Sequence, residues 1–379
     1  MKTLFIIGSF FPSQKGGPDS SIYWLVKSLN EKSYSQNLVL SFFDGLSSHD
    51  IKKFKIKKNK ICKIKGVNVI FFSYFIFKIF SFNYWFYLIK NLKKYNLINI
   101  NSYFFSISIL SAIIFKIFKA NYYLSLRGEI FKETLNYNKY LKITLMPILN
   151  RIYKNSKFLH CTTHQEKISA KKYLPKFNYE IFPNIINEEN KFFKVNYKIR
   201  KDYLYLGRLH NKKNIDKIIT AFFLAEKKID KKIKLLIAGK GDEKYTNYLK
   251  NLTKNKNLKN KVIFLGHKNY TEKMQLMLKS KYLIFFSKSE NFGNVILEAM
   301  LNRLPVIVSK NLPWKILNNI KAGYLIDYSI DALKKHIIKS SKINKNEYFR
   351  QIHNCKILLS KYSSKKNLPI IIKILKKYA

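Results

Sequence analysis

Apolar runs of strand length alternate with longer amphipathic stretches along most of this chain, and that alternation limits the folds open to it. In the second half, Tyr203–Leu206, Lys234–Ala238, Val262–Leu265, Leu283–Ser287 and Pro305–Val308 read as short buried strands. Helical patterns separate them at Ile215–Glu226, Glu243–Leu252, Thr271–Lys279 and Gly293–Leu301. Strands separated by helices build βαβ units and a parallel sheet. The first half repeats the theme at Leu4–Gly8, Leu38–Phe42, Val67–Phe72, Leu97–Ile100 and Tyr123–Leu126. The expected architecture is α/β, with two doubly wound Rossmann-like domains facing across a cleft. Their expected bounds are 1–184 and 185–357, followed by a C-terminal helix within 358–379, Leu358–Lys377, that packs back on the N-terminal domain. A chain of 379 residues, 47% of them hydrophobic, is long and apolar enough for two such cores.

In open parallel sheets, ligands bind beyond the carboxyl ends of the strands. Glycine helps to locate those ends, because only 12 glycines occur here and a scarce glycine is more often structurally required. Gly8, Gly207, Gly239 and Gly266 each follow an expected strand, and Gly128 follows another. Gly16 and Gly17 sit in the loop after the first strand, ahead of a helix expected at Ile22–Leu29 and capped by Asp19 or Ser20. Ordinary turn chemistry accounts for part of this set.

The densest motif is SENFGNVILEAM, Ser289 to Met300. It follows an apolar strand and opens a helix near Phe292 or Gly293. Free N–H groups at a helix start favour phosphate oxygens, and Gly293 lets a diphosphate approach. Glu290 precedes the helix and Glu298 lies within it. Carboxylates accept hydrogen bonds from sugar hydroxyls, so one would hold a hexose and the other a ribose. The plainer reading is a capping acid and a solvated helix residue, although Glu298 is flanked by Leu297, Ala299 and Met300. In YLGRLHNKKNI, Tyr205 to Ile215, a strand ends at Gly207 and Arg208 and Lys213 follow. Fixed cations there would stabilise the charge of a leaving diphosphate. Lysine is everywhere in this chain and arginine is rare, so Arg208 is the more informative of the two.

Several function classes recede. G-x-G-x-x-G is absent after the first strand, and IAGKGDE (Ile237–Glu243) holds only Gly239 and Gly241, which argues against a dehydrogenase. Cys62, Cys161 and Cys355 are scattered, so neither a disulfide framework nor a zinc site is indicated. His160 and His164 flank Cys161 at helical spacing, but no further ligand cluster supports a metal. The stretch Val67–Ile89 has transmembrane length, yet Lys78, Asn68 and Asn83 fit a buried strand and core helix better. The formal net charge of +50 goes with over-use of Lys, Asn, Ile, Phe and Tyr, the drift of an AT-rich coding sequence. Whatever its origin, it attracts anionic partners. Nucleic acid is disfavoured, because the aromatics sit in apolar runs rather than beside basic clusters. Lys52–Lys65, eight lysines in 14 residues with Phe54, Ile56 and Ile61 interleaved, reads either as a solvated loop or as a segment lying on an anionic membrane surface.

Taken together, these segments resemble glycosyltransferase family 4, the retaining enzymes of GT-B fold. The resemblance runs through Gly16-Gly17, SLRGE (Ser125–Glu129), CTTHQE (Cys161–Glu166), FPNII (Phe182–Ile186), YLGRLHNKKNI, IAGKG, FLGH (Phe264–His267) and SENFGNVILEAMLNRLPVIVS (Ser289–Ser309). It implies a nucleotide-sugar donor, UDP- or GDP-linked, a glycan or lipid-linked glycan acceptor, and no metal or other cofactor. It further implies surface-polysaccharide or lipopolysaccharide synthesis in the cytoplasm, at the inner face of the plasma membrane. Catalytic roles fall on Glu290, Arg208, Lys213 and Arg127. Donor contacts fall on Gly16, Gly17, Gly239, Gly241, His267, Asn291, Phe292, Gly293, Asn294, Val295 and Glu298. Many members carry His-Gly where this chain has Arg127-Gly128, and Lys-Gly where it has Lys213-Asn214. A nucleotide-sugar epimerase of the same fold is the alternative enzyme, and a nucleic-acid-binding protein the alternative of another class.

Overall fold

A computed structural model describes residues 1–13, 17–32, 37–74, 81–186 and 200–379. The chain divides into two compact units, Met1–Asn187 with Ser363–Ala379, and Glu188–Tyr362.

The first unit carries an eight-stranded sheet. In chain order its strands are β1 (Thr3–Ile6), β2 (Leu38–Phe42), β3 (Ile61–Ile64), β4 (Val67–Phe72), β5 (Leu97–Asn101), β6 (Tyr122–Ser125), β7 (Leu159–Cys161) and β8 (Tyr179–Ile181). In space the order is β3-β4-β2-β1-β5-β6-β7-β8, parallel except for the antiparallel pair β3–β4. The helices are α1 (Gly17–Lys32), α2 (Ser48–Lys53), α3 (Phe82–Asn91), α4 (Ser106–Ile117), α5 (Lys132–Leu135), α6 (Lys139–Tyr153) and α7 (His164–Lys171). The strands between the sheet's edge strands β3 and β8 are buried on both faces, so their side chains feed two cores by the two-residue pleat. Leu4 and Ile6 join α3, α4 and α6 on one face, whereas Phe5 and Ile7 join α1 on the other. The helix expected from Ile22 begins earlier, at Gly17. Asp19 therefore lies in its first turn rather than at its cap, and accepts a hydrogen bond from Ser9 Oγ at 2.8 Å.

The second unit has six parallel strands. They are β9 (Asp202–Leu206), β10 (Leu235–Ala238), β11 (Val262–Gly266), β12 (Ser280–Phe285), β13 (Val306–Ser309) and β14 (Gly323–Ile326), ordered β11-β10-β9-β12-β13-β14. Helices α8 (Ile215–Glu226), α9 (Glu243–Asn255), α10 (Tyr270–Lys279), α11 (Asn294–Leu301), α12 (Leu317–Ile320), α13 (Ile330–Ser341) and α14 (Lys345–Lys361) connect and follow them. The strand expected at Leu283–Ser287 starts earlier, because the polar residue Ser280 is fully buried and pairs with Asp202 of β9.

The chain then returns to the first unit in α15 (Ser364–Lys377). The single helix expected at Leu358–Lys377 is in fact two. Ser363 breaks it, accepting from Lys366 N at 3.3 Å as the cap of α15, while Ser364 N donates to Ile186 O at 3.0 Å. Leu368, Ile371 and Leu375 of α15 are buried in the core that α1 covers.

Among the described residues no helix is long and apolar enough to cross a membrane; residues 75–80 of the apolar stretch lie outside them. The Lys52–Lys65 run spans the end of α2 and β3. Ile56 is buried in the core shared with α1, so it is not available as a membrane anchor; Ile61 is exposed.

Candidate functional site

In the second unit two loops at the carboxyl ends of neighbouring strands are tied together. After β9, Tyr205 Oη donates to Arg208 O at 2.8 Å, leaving the Arg208 side chain exposed. A tight turn, Asn211–Lys213, follows, with His210 Nδ1 accepting from Lys212 N at 3.1 Å. Burial, then the neighbouring Arg208, Lys212 and Lys213 charges, lower the His210 pKa, so the ring stays a neutral acceptor. Asn214 takes a left-handed conformation (φ 49°) and donates to Phe286 O at 3.0 Å beyond β12. Lys288 N donates to Lys212 O at 2.8 Å. The result is that the Lys213 ammonium donates to Glu290 Oε2, and lies 5.5 Å from the Phe285 ring centroid. Both partners are about one-fifth exposed, 22% and 21%.

Helix α11 starts immediately beyond. Gly293 is its cap at φ 85°, and a Cβ there would lie 2.9 Å from Phe285 Cε1, so only glycine fits without displacement. The Phe292 carbonyl accepts from Trp314 Nε1 at 2.6 Å, and its ring is buried edge-on against Trp314 and Tyr362. Phe292 therefore anchors the loop. Asn291, Asn294 and Val295, half-buried, surround the helix start, where Ile296 N donates to Gly293 O at 2.9 Å. Glu298 is 3.4 Å from Lys273 Nζ of α10. Burial, then the Glu298 charge, push the Tyr270 hydroxyl up to about 12. Lys273, Tyr270 and Trp314 were not singled out from the sequence, since nothing local marks a contact across more than twenty residues.

Gly239 and Gly241 have a packing reason independent of any ligand. A Cβ on Gly239 would sit 1.8 Å from Gly207 O, and one on Gly241 1.9 Å from Leu209 O. Leu209 N donates to Lys240 O at 3.1 Å, clamping these loops together. His267 is exposed just after β11.

In the first unit Arg127 is the centre of a polar network at the ends of β5, β6 and β7. Its Nε donates to Asn101 Oδ1 at 2.8 Å, and Nη1 reaches Asn184 Oδ1 at 3.3 Å and Ser21 Oγ at 3.4 Å. Asn101 Nδ2 donates to Asn99 Oδ1 and Ile6 O, and Asn99 Nδ2 to Ser125 Oγ. His160 ends the chain, its Nε2 on Phe182 O at 2.9 Å and Nδ1 on Ser125 Oγ at 3.0 Å. A carbonyl only accepts, so Nε2 carries the proton and Nδ1 accepts from the serine. Burial, then the Arg127 charge, bring His160 down to about 3. Both its nitrogens are engaged within the protein, and among the described residues no group of three or more His, Cys, Asp and Glu could hold a metal. Burial also lowers Arg127 to about 10, against the pull of Glu166. Arg127 and His160 border a small recess with Ser21, Phe182 and Asn184. Gly17 opens α1 and is exposed; Gly16 lies outside the described residues.

Comparison with known proteins bears on the second unit first. Residues 186–354 match the family model of glycosyl transferases group 1. N-acetyl-alpha-D-glucosaminyl L-malate synthase of Bacillus anthracis is 26% identical over 155 residues, 38% of this chain and 39% of that protein. Alpha-monoglucosyldiacylglycerol synthase of Streptococcus pneumoniae is 35% identical over 120 residues, 32% of this chain and 26% of that protein. The chain thus spans well under half the length of these curated relatives. The crystal structure of Anabaena Alr3699/HepE in complex with UDP and glucose superposes with a TM-score of 0.75, at 16% identity and full coverage of both chains. The fold is the GT-B type, two Rossmann-like units on parallel sheets, and residues 186–354 carry the sequence pattern of group 1 glycosyl transferases.

Proposed function

We propose that this chain is a retaining glycosyltransferase that moves a hexosyl group from a nucleoside-diphosphate sugar to a glycan or lipid-linked glycan. The observation that carries the reading is the Lys213–Glu290 pair beside the glycine-capped start of α11, within the stretch that matches the group 1 family. UDP is favoured as the carrier by the UDP and glucose complex of the HepE structure.

The residues divide the work as follows. Lys213 and Arg208 bind the diphosphate, which lies at the positive end of the α11 dipole. As the diphosphate draws Lys213 away, Glu290 is released to accept from the sugar hydroxyls. Glu298, oriented by Lys273, takes the ribose. The bond from the anomeric carbon to the diphosphate oxygen breaks with its electron pair on that oxygen, which the cations stabilise. The acceptor hydroxyl bonds to the same face of the sugar, and its proton passes to the leaving phosphate oxygen. Arg127 cannot act as a base; held by Asn101 and Asn184, it positions a ligand in the first unit. The acceptor belongs to surface-polysaccharide synthesis at the cytoplasmic face of the membrane, a reading in keeping with the lipid product named for the Streptococcus pneumoniae relative.

Product analysis tests this. Incubation with a UDP-sugar and an extract of lipid-linked glycans should give a glycosylated product and free UDP. Conversion of the donor to its epimer with no acceptor present would replace the reading by an epimerase.

A further inference from the structure

In the first unit, α3, α4 and α6 cover one face of the sheet, each connecting parallel strands. They are neighbours: Tyr84 Oη of α3 pairs with Ser111 Oγ of α4 at 2.8 Å, and α4 packs on α6. Their inner sides are core. Their outer sides are also apolar, which a solvated helix layer does not need. Phe86 is 69% exposed, Ile117 69%, Tyr140 87%, Leu141 60% and Ile148 57%. Scattered exposed apolar residues are ordinary, but a run of them across three adjacent helices marks an interaction surface.

The charge around this layer identifies the occupant. No acidic residue occurs between Asp50 and Glu129, nor between Glu133 and Glu166. All three helices run antiparallel to the strands they connect, so their C-terminal ends lie at one end of the sheet. Exposed cations gather there: Lys90 in the last turn of α3 with Lys93 and Lys94 beyond it, Lys116 in the last turn of α4 with Lys119 beyond it, and Arg151 and Lys154 at the end of α6. Cations at helix C-termini complement the dipole, which explains lysines, but not the apolar side chains beside them. An apolar helix face bordered by cations and free of acids is the pattern of a helix lying in a membrane interface. Nucleic acid would want the cations along the face itself, with aromatics stacked between them.

We propose that the outer face of α3, α4 and α6 docks on an anionic lipid bilayer, with Ile117, Leu141 and Ile148 entering the acyl boundary and the lysines at the helix ends meeting lipid phosphates. This goes beyond the proposed sugar transfer and does not depend on it. It also places the membrane contact away from Lys52–Lys65, whose buried Ile56 and Ile64 belong to the opposite face of the sheet.

Co-sedimentation of the full chain with phosphatidylcholine vesicles, with and without phosphatidylglycerol, tests it. The chain should sediment with the anionic vesicles alone. The double variant Leu141→Gln, Ile148→Gln should lose at least about tenfold in partition, with its circular dichroism and thermal unfolding unchanged because both side chains are exposed. Replacing Lys57, Lys58 and Lys60 by Gln should cost far less than that. Equal partition of the Leu141, Ile148 variant and the parent would overturn the proposal. So would retention on RNA with none on anionic vesicles.

Discussion

Lys213 Nζ donates to Glu290 Oε2, joining the loop that leaves β9 to the loop that leads into α11. The contact links residues 77 apart in sequence. With Lys288 N on Lys212 O, it fixes a cation and a carboxylate at adjacent strand ends before any ligand arrives. Both groups are partly solvated, so the pair contributes about 1 kcal/mol or less to stability. Its effect belongs to function. Lys213→Ala should lower kcat/KM for the nucleotide sugar about 10- to 100-fold, the worth of one charge-assisted hydrogen bond. Glu290→Gln should do the same with little change in Tm. Initial rates and thermal unfolding of each variant check this, and the double variant should fall short of the sum because the residues share a site.

Gly293 makes a separable structural prediction. Gly293→Ala should destabilise the second unit by about 1–3 kcal/mol, because it combines a left-handed backbone with a Cβ pressed on Phe285. Trp314→Phe removes both the bond to Phe292 O and part of the volume of a fully buried indole, so it should cost about 2–4 kcal/mol. Urea unfolding of both variants gives the comparison.

His160 predicts a pH dependence. Its folded pKa lies near 3, below its usual 6.5. The unfolded chain therefore binds the extra proton first, and stability falls as pH drops from about 6.5 toward 3. The buried carboxyls Glu129 and Glu166 are raised by burial and act in the opposite sense, so the test compares variants. His160→Asn should show a shallower fall over that window than the parent in unfolding curves taken between the two pH values.

Helix α15 predicts that the first unit needs the end of the chain. Truncation after Tyr362 would expose the site of Leu368, Ile371 and Leu375, each fully buried. At about 1.5–3 kcal/mol per buried aliphatic side chain, that loss rivals the stability of a domain. The truncated chain should be insoluble or lack a cooperative transition in circular dichroism, whereas Leu375→Ala alone should fold with lowered Tm.

How far the sequence showed this in advance depended on whether the signal was local. Strands β1, β2, β4, β5, β9 and β10 were legible as apolar runs bounded by turn residues. β3, β8 and β14 were not, because most of their residues are only half-buried or exposed. The break between α14 and α15 was hidden by helical periodicity running through Leu358–Lys377; its only local sign is the serine pair Ser363-Ser364. At the site, Glu290, Glu298, Lys213 and Gly293 stood out because motif and spacing are contiguous. Their partners Lys273 and Trp314 are set by tertiary packing. The Asn99–Asn101 relay and His160 were missed as a unit, although the polar residues inside the apolar strand LININ were a readable sign of a buried network.

A thermal-shift panel of UDP-, GDP- and ADP-sugars tests the central claim most directly, since a ligand that binds the folded state raises Tm by mass action. One nucleoside-diphosphate sugar should stabilise the parent chain clearly, by about 2–3 kcal/mol at a hundredfold excess over Kd, and Lys213→Ala should shrink that shift. No shift from any nucleotide sugar at millimolar concentration, or an equal shift in Lys213→Ala, would contradict the account.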